Sequence, residues 1–165
     1  MKVLLITLVL LFAQDDAYQQ GKAQLAAKNY DAAEEAFRQL TEADGPSASQ
    51  GYEGLALVDI GRKNYDQALE DAKKAIELNA ENADAHYALG LAHSWRQDFK
   101  NAAPSFEKTL ALNPDHAYGH YQLGLVQYKL KRYDQTIIHF EKFIELAPNA
   151  PEANQVKAIL KTVRG

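Results

Sequence analysis

The sequence predicts an all-α protein, a solenoid of antiparallel helix pairs stacked four units deep and closed by a C-terminal helix. Three observations predict it. The first is self-similarity. The aromatics Tyr30, Tyr65, Phe99 and Tyr133 lie 35, 34 and 34 residues apart, and the small residues Gly21, Ala56, Gly90 and Gly124 keep the same spacings. So do Ala33, Ala68, Ala102 and Thr136, and then Phe37, Ala72, Phe106 and Phe140. Four independent columns at one period do not arise from composition, and a period near 34 is that of a repeated helix–turn–helix unit. The second is that each unit holds two amphipathic runs with turn signals between and after them. The third is composition: 165 residues, 47% hydrophobic and 24% charged, supply a core and are unlike a disordered chain.

The first element is a leader. Residues 1–13 read MKVLLITLVLLFA, with one lysine, an apolar run from Val3 to Phe12 interrupted only by Thr7, and then Ala13. Ten residues make a helix of about 15 Å, half of a roughly 30 Å hydrocarbon core. The run is too short to span a membrane but suits the central region of a secretory signal peptide, with Ala13 before the cut and Gln14-Asp15-Asp16 as the new N-terminus. The competing assignment is an apolar helix packed on the domain. The chain is therefore expected to be exported, periplasmic or secreted, if the leader is cleaved, and cytoplasmic or membrane-associated otherwise. No integral membrane span is expected.

The units follow at 14–47, 49–82, 83–116 and 117–150, with 151–165 as the capping helix and 14–165 as one domain. In the third unit the helical runs are Ala83–Arg96 and Lys100–Leu112. Cap-type residues precede the second runs at Asn29, Asn64 and Asp98, with acids following at Asp31, Asp66 and Asp134, and Arg132 breaks the cap column. Gly45-Pro46, Asn113-Pro114-Asp115 and Ala147-Pro148-Asn149 separate units. The small column lets helices approach, while the aromatics fill the wedge between pairs. Pro104, inside a second run, is expected to kink or delay that helix. Gly51, Gly54 and Gly61 each cost about 1 kcal/mol against Ala, which predicts the softest helix of the array. After Pro151, Ala153, Val156, Ile159, Leu160 and Val163 share one face opposite polar Glu152, Asn154, Gln155, Lys157 and Lys161, as a solenoid cap requires.

These columns resemble the tetratricopeptide repeat (TPR): Leu89-Gly90, Ala102, Phe106 and Pro114 in unit three, Leu123-Gly124, Phe140 and Pro148 in unit four. The likeness covers about residues 14–150, and units one and two are more degenerate. Gln20 stands where Leu is usual, while Asp59, Ala72, His93 and Gln127 replace aromatics, which predicts looser seams. The resemblance implies a right-handed superhelix whose first helices line a concave groove. Carried over unit by unit, the groove positions are Asp15, Tyr18, Lys22 and Leu25; Gln50, Glu53, Leu57 and Ile60; Asp84, Tyr87, Leu91, Ser94 and Trp95; and Tyr118, Tyr121, Leu125, Tyr128 and Lys129. Some family members grip the carboxylate tail of heat-shock chaperones with a lysine–asparagine–asparagine–lysine–arginine clamp. Here Tyr18, Lys22, Gly54, Asp84 and Ala88 hold those places, so that ligand class is excluded.

Little else in the chain points to chemistry. A net charge of −4 and a pI near 5.7 disfavour nucleic acid. With no cysteine there is no disulfide, thiolate metal site or cysteine nucleophile. No glycine-rich phosphate loop, GxSxG or HExxH is present. His116 and His120 are four apart and could share a metal with His86, but no carboxylate or cysteine completes a ligand set. No metal, cofactor or enzyme activity is expected. The resemblance implies a protein–protein interaction module, an adaptor or scaffold that takes a peptide or helix segment in an aromatic-rich groove. Its expected contacts are Tyr87, Leu91, Trp95, Tyr118, Tyr121, Leu125 and Tyr128. The row Leu57, Leu91 and Leu125 reads equally as packing between neighbouring first helices. A homo-oligomer, with the apolar strip or an end face joining copies in a structural scaffold, is the alternative.

Overall fold

The computed structural model describes residues 15–164; the leader at 1–13 lies outside them. Residues 15–26 form α1, followed by α2 (Tyr30–Thr41), α3 (Pro46–Arg62), α4 (Tyr65–Leu78), α5 (Ala83–Trp95), α6 (Phe99–Leu112), α7 (Ala117–Lys129), α8 (Tyr133–Leu146) and α9 (Ala153–Val163). Turns too short to do anything else fold each pair back on itself. Consecutive helices from α2 onward pack together, and the first helices α3, α5 and α7 also touch in sequence. The result is an all-α solenoid with the odd-numbered helices on one side. No strand occurs among the described residues, and none of their helices is long and apolar enough to cross a membrane.

The core repeats as the sequence does. Phe37, Phe106 and Phe140 are fully buried, each removing a side chain from water at roughly 1.5–3 kcal/mol. The small column exists to seat these rings. A Cβ on Gly21 would lie 2.6 Å from the Phe37 ring, one on Gly90 2.6 Å from Phe106, and one on Gly124 2.4 Å from Phe140. Where the column holds Ala56 instead of glycine, the aromatic position holds Ala72, and both are fully buried with Ala88. At the C-terminal end, α9 lays Val156 and Leu160 on Phe140 and Phe143, covering the last ring.

Every intra-pair turn closes in the same way. Lys28, Lys63, Gln97 and Lys131 adopt left-handed backbone with φ of 59°, 67°, 61° and 60°. The next residue's amide then bonds back to the carbonyl five before it, as in Asn64 N–H to Asp59 O at 2.8 Å and Asp98 N–H to His93 O at 2.9 Å. A side-chain clasp spans each turn between the same two positions: Gln24–Asn29 at 3.0 Å, Asp59–Asn64 at 3.2 Å, His93–Asp98 at 3.2 Å and Gln127–Arg132 at 3.5 Å. The polar residues at 59, 93 and 127 that replace the family's aromatics are half of these clasps.

Three sequence expectations change here. Asn29 and Asn64 sit at the N-caps but make no side-chain cap, because their amides serve the clasps; only Asp98 also caps, accepting from Asn101 N at 3.4 Å. Pro104 does not delay α6, which begins at Phe99 and runs through it to Leu112. Both Pro104 and Lys100, whose carbonyl loses its amide partner, are exposed, so solvent can satisfy that group. The glycines of α3 are seats rather than weak points: Cβ atoms at Gly54 and Gly61 would fall 2.2 Å from the Phe37 ring and 2.4 Å from the Tyr30 ring.

Candidate functional site

Helical spacing brings one face of each first helix to a common cleft of about 430 Å³. Tyr18, Lys22, Leu25 and Ala26 come from α1, Glu53 and Leu57 from α3, Asp84 and Tyr87 from α5, and His116 and Tyr118 from the start of α7. Within α1, α3 and α5 these side chains recur at three or four residues, which places them one above another. Tyrosine rings and leucines make the walls.

The floor is polar. Glu53 is only 2% exposed and accepts a hydrogen bond from the Tyr18 hydroxyl at 2.9 Å. Burial, reinforced by the negative charge of Asp84, pushes the Glu53 carboxyl up to about 8. Burial and then Glu53 likewise hold the Tyr18 phenol well above its ordinary range. Lys22 places its ammonium 5.1 Å from the centre of the Tyr18 ring. His116 caps α7: its Nδ1 accepts from Gly119 N–H at 2.8 Å, so the proton sits on Nε2, which donates to Asp84 Oδ1 at 3.1 Å. That bond outweighs burial and lowers the Asp84 carboxyl. The His116 ring also packs on Tyr87, centroids 4.8 Å apart. At the far end the Tyr118 hydroxyl donates to Glu152 Oε2 at 3.2 Å, beside α9.

Of the seven residues expected to contact a partner, Tyr87 and Tyr118 line this cleft. Leu91 is half-buried against the Phe106 cluster, and Tyr121 and Leu125 against Phe140 and Phe143. In the leucine row, then, Leu57 lines the cleft while also packing on Ala56, Ala72 and Ala88, and Leu91 and Leu125 pack. Tyr128 turns to Tyr133, 5.9 Å away. Trp95, 60% exposed, does not line the cleft; it stacks flat on Tyr65 across the unit boundary at 6.2 Å. Its place near the end of α5 matches that of Gly61 in α3, which lies over Tyr30 in the same manner.

Sequence reasoning does not join the acids Glu53 and Asp84 with His116 into one feature. The signal is nonetheless present. Glu53 stands in a column otherwise filled by Tyr18, Tyr87 and Tyr121, and Lys22 in the column of Leu57, Leu91 and Leu125. His116, a candidate metal ligand by its spacing, is a cap, and His86 and His120 each bond a carbonyl six residues back, at 3.1 and 2.9 Å.

Comparison with known proteins agrees with this architecture. The family model described as Tetratricopeptide repeat matches residues 18–58 and 96–151, and one described as TPR repeat matches 54–94. No curated protein sequence matches the chain. Among solved structures, a crystal structure of MamA protein is 25% identical, covers 93% of this chain and 83% of its own, and superposes with a TM-score of 0.69. A thermophilic TPR protein from Thermus thermophilus is 21% identical over 92% of this chain and 81% of its own, with a TM-score of 0.72. The first TPR domain of Spaghetti (RPAP3), solved with the HSP90 peptide SRMEEVD, is 18% identical over 73% of this chain and 99% of its own, at 0.69. By its repeat columns, its helix pairs and these matches, the chain belongs to the tetratricopeptide-repeat family.

Proposed function

We propose that this chain is an interaction module that holds a peptide or helix segment of another protein in the cleft of its first helices. We further propose that it works outside the cytoplasm after losing residues 1–13. The observation that carries the reading is a single cleft to which α1, α3, α5 and α7 all contribute side chains. A segment lying there touches every unit at once, and rigid aromatic walls give contact area at small entropic cost. Membership of a repeat family that generally serves as a non-enzymatic scaffold supports it, as does a fold neighbour solved with a peptide. The polar floor argues against an acidic tail, because Tyr18, Asp84 and buried Glu53 meet it where a cationic clamp is needed.

The test is photo-cross-linking in cells of the native source. A photoreactive residue at Leu57 or Lys22 should capture a partner, and the same residue at exposed Ile138 on α8 should not. Tyr118→Ala, a surface change, should reduce capture several-fold at unchanged helicity. The protein itself, recovered from these cells, should have the mass of residues 14–165. Capture only from Ile138, or only copies of the chain itself, would move the active surface or make self-association the function. An intact leader would return the protein to the cytoplasm or the membrane surface.

A further inference from the structure

We infer that the segment held in this cleft presents a basic side chain, lysine or arginine, to Glu53 and Asp84; the inference rests on the peptide-groove reading above. The argument starts from a column. Three of its four positions carry tyrosine, and the second unit alone places a carboxyl there, 2% exposed on the floor of the cleft. A carboxyl kept out of water is costly unless a partner offsets the loss, and the Tyr18 hydroxyl supplies one hydrogen bond and no charge.

The groups that face Glu53 decide which guest it favours. Tyr18 and Lys22 come from α1, Asp84 and Tyr87 from α5, and His116 from the turn before α7. Lys22 is the one fixed cation among them, exposed and drawn over the Tyr18 ring, while the second acid, Asp84, is already engaged by His116. An anionic guest would bring its charge against two carboxyl groups. An apolar guest would bury them further with nothing in exchange. A guanidinium or ammonium gives Glu53 a counter-charge and can reach Asp84 in a cleft that Tyr87 and Tyr118 also line. Arginine, with five donors on a flat fork, serves both acids at once. Because burial favours the protonated form of Glu53, a cation placed beside it favours release of that proton.

The probe is a set of synthetic nonapeptides of mixed sequence with the central residue fixed as Arg, Lys, Ala or Glu, titrated against the full chain at pH 6 and pH 8. Arg and Lys sets should bind at least tenfold more tightly than the Ala set, with the Glu set weakest, and the gap should widen several-fold at pH 8. Glu53→Gln keeps an acceptor for Tyr18 and should erase both the preference and its pH dependence, so that the Arg, Lys and Ala sets bind alike. Asp84→Asn, at a half-exposed position that does not threaten folding, should reduce the preference in part. Equal binding of all four sets, or a preference that survives Glu53→Gln, overturns the cation reading and leaves the groove standing. Binding of none of the sets overturns both.

Discussion

At the scale of single residues, this fold is governed by rings seated on bare backbone. Phe37 is fully buried between Gly21 of α1 and Gly54 of α3, which Cβ atoms would approach to 2.6 and 2.2 Å. Helix propensity alone favours Gly54→Ala by about 1 kcal/mol. The contact argues the other way and is larger, because a ring held from both sides cannot step aside. Gly54→Ala should therefore destabilise by about 2–3 kcal/mol net, read as a lower urea midpoint at unchanged slope. A stabilised variant would show that the ring has somewhere to go. Legibility differs between the two glycines. Gly21 belongs to a column repeated in every unit and is visible as a packing position. Gly54 faces Ala88 and Gln122 at its equivalents, so only the assembled seam explains it. Glu53 stayed hidden for a related reason, since its burial depends on α1 and α5 closing over it.

At the scale of helices and seams, the second unit solves the packing problem with different volumes. Elsewhere a large ring lies against glycine; here Ala56, Ala72 and Ala88 meet, all fully buried. Three medium residues replace the small–large–small set of Gly21, Phe37 and Gly54. Ala72→Phe alone should overpack this seam and cost about 1–3 kcal/mol. Adding Ala56→Gly and Ala88→Gly should restore it, so that the triple variant unfolds at higher denaturant than either Ala72→Phe or the double-glycine variant. A triple variant weaker than both would mean that the backbones of α3 and α5 are too close for any ring. The helices themselves were legible from period and breakers, because burial of one face dictates their pattern. The turns were not. Their left-handed residue is lysine or glutamine rather than glycine, and the clasp uses a different residue pair in each unit, so no composition signal repeats.

At the scale of the whole molecule, the groups whose protonation folding shifts make stability depend on pH. Glu53 ordinarily titrates at 4.5 and in the fold at about 8. Between those values the folded chain holds a proton that the unfolded chain has lost, so stability falls as pH rises through the window. His139 on α8 is the opposite case. Burial, with the His120 ring nitrogen 3.1 Å from its own, pushes it from 6.5 down to about 4. Between those values the unfolded chain holds the extra proton, and stability falls as pH drops. The two slopes oppose each other where the windows overlap, and Asp71, which burial pushes up to about 6, adds to the fall in stability with rising pH. Glu53→Gln should leave stability at pH 4.5 nearly unchanged and raise it increasingly toward pH 8, by roughly 3–5 kcal/mol for a group so fully buried. Urea unfolding of both chains at half-unit steps from pH 4.5 to 8.5 checks this. Parallel curves would mean that Glu53 is ionised in the folded cleft, with Lys22 as its counter-ion. The cleft would then have no uncompensated acid to offer a cationic guest, so this stability profile also bears on what the groove can bind.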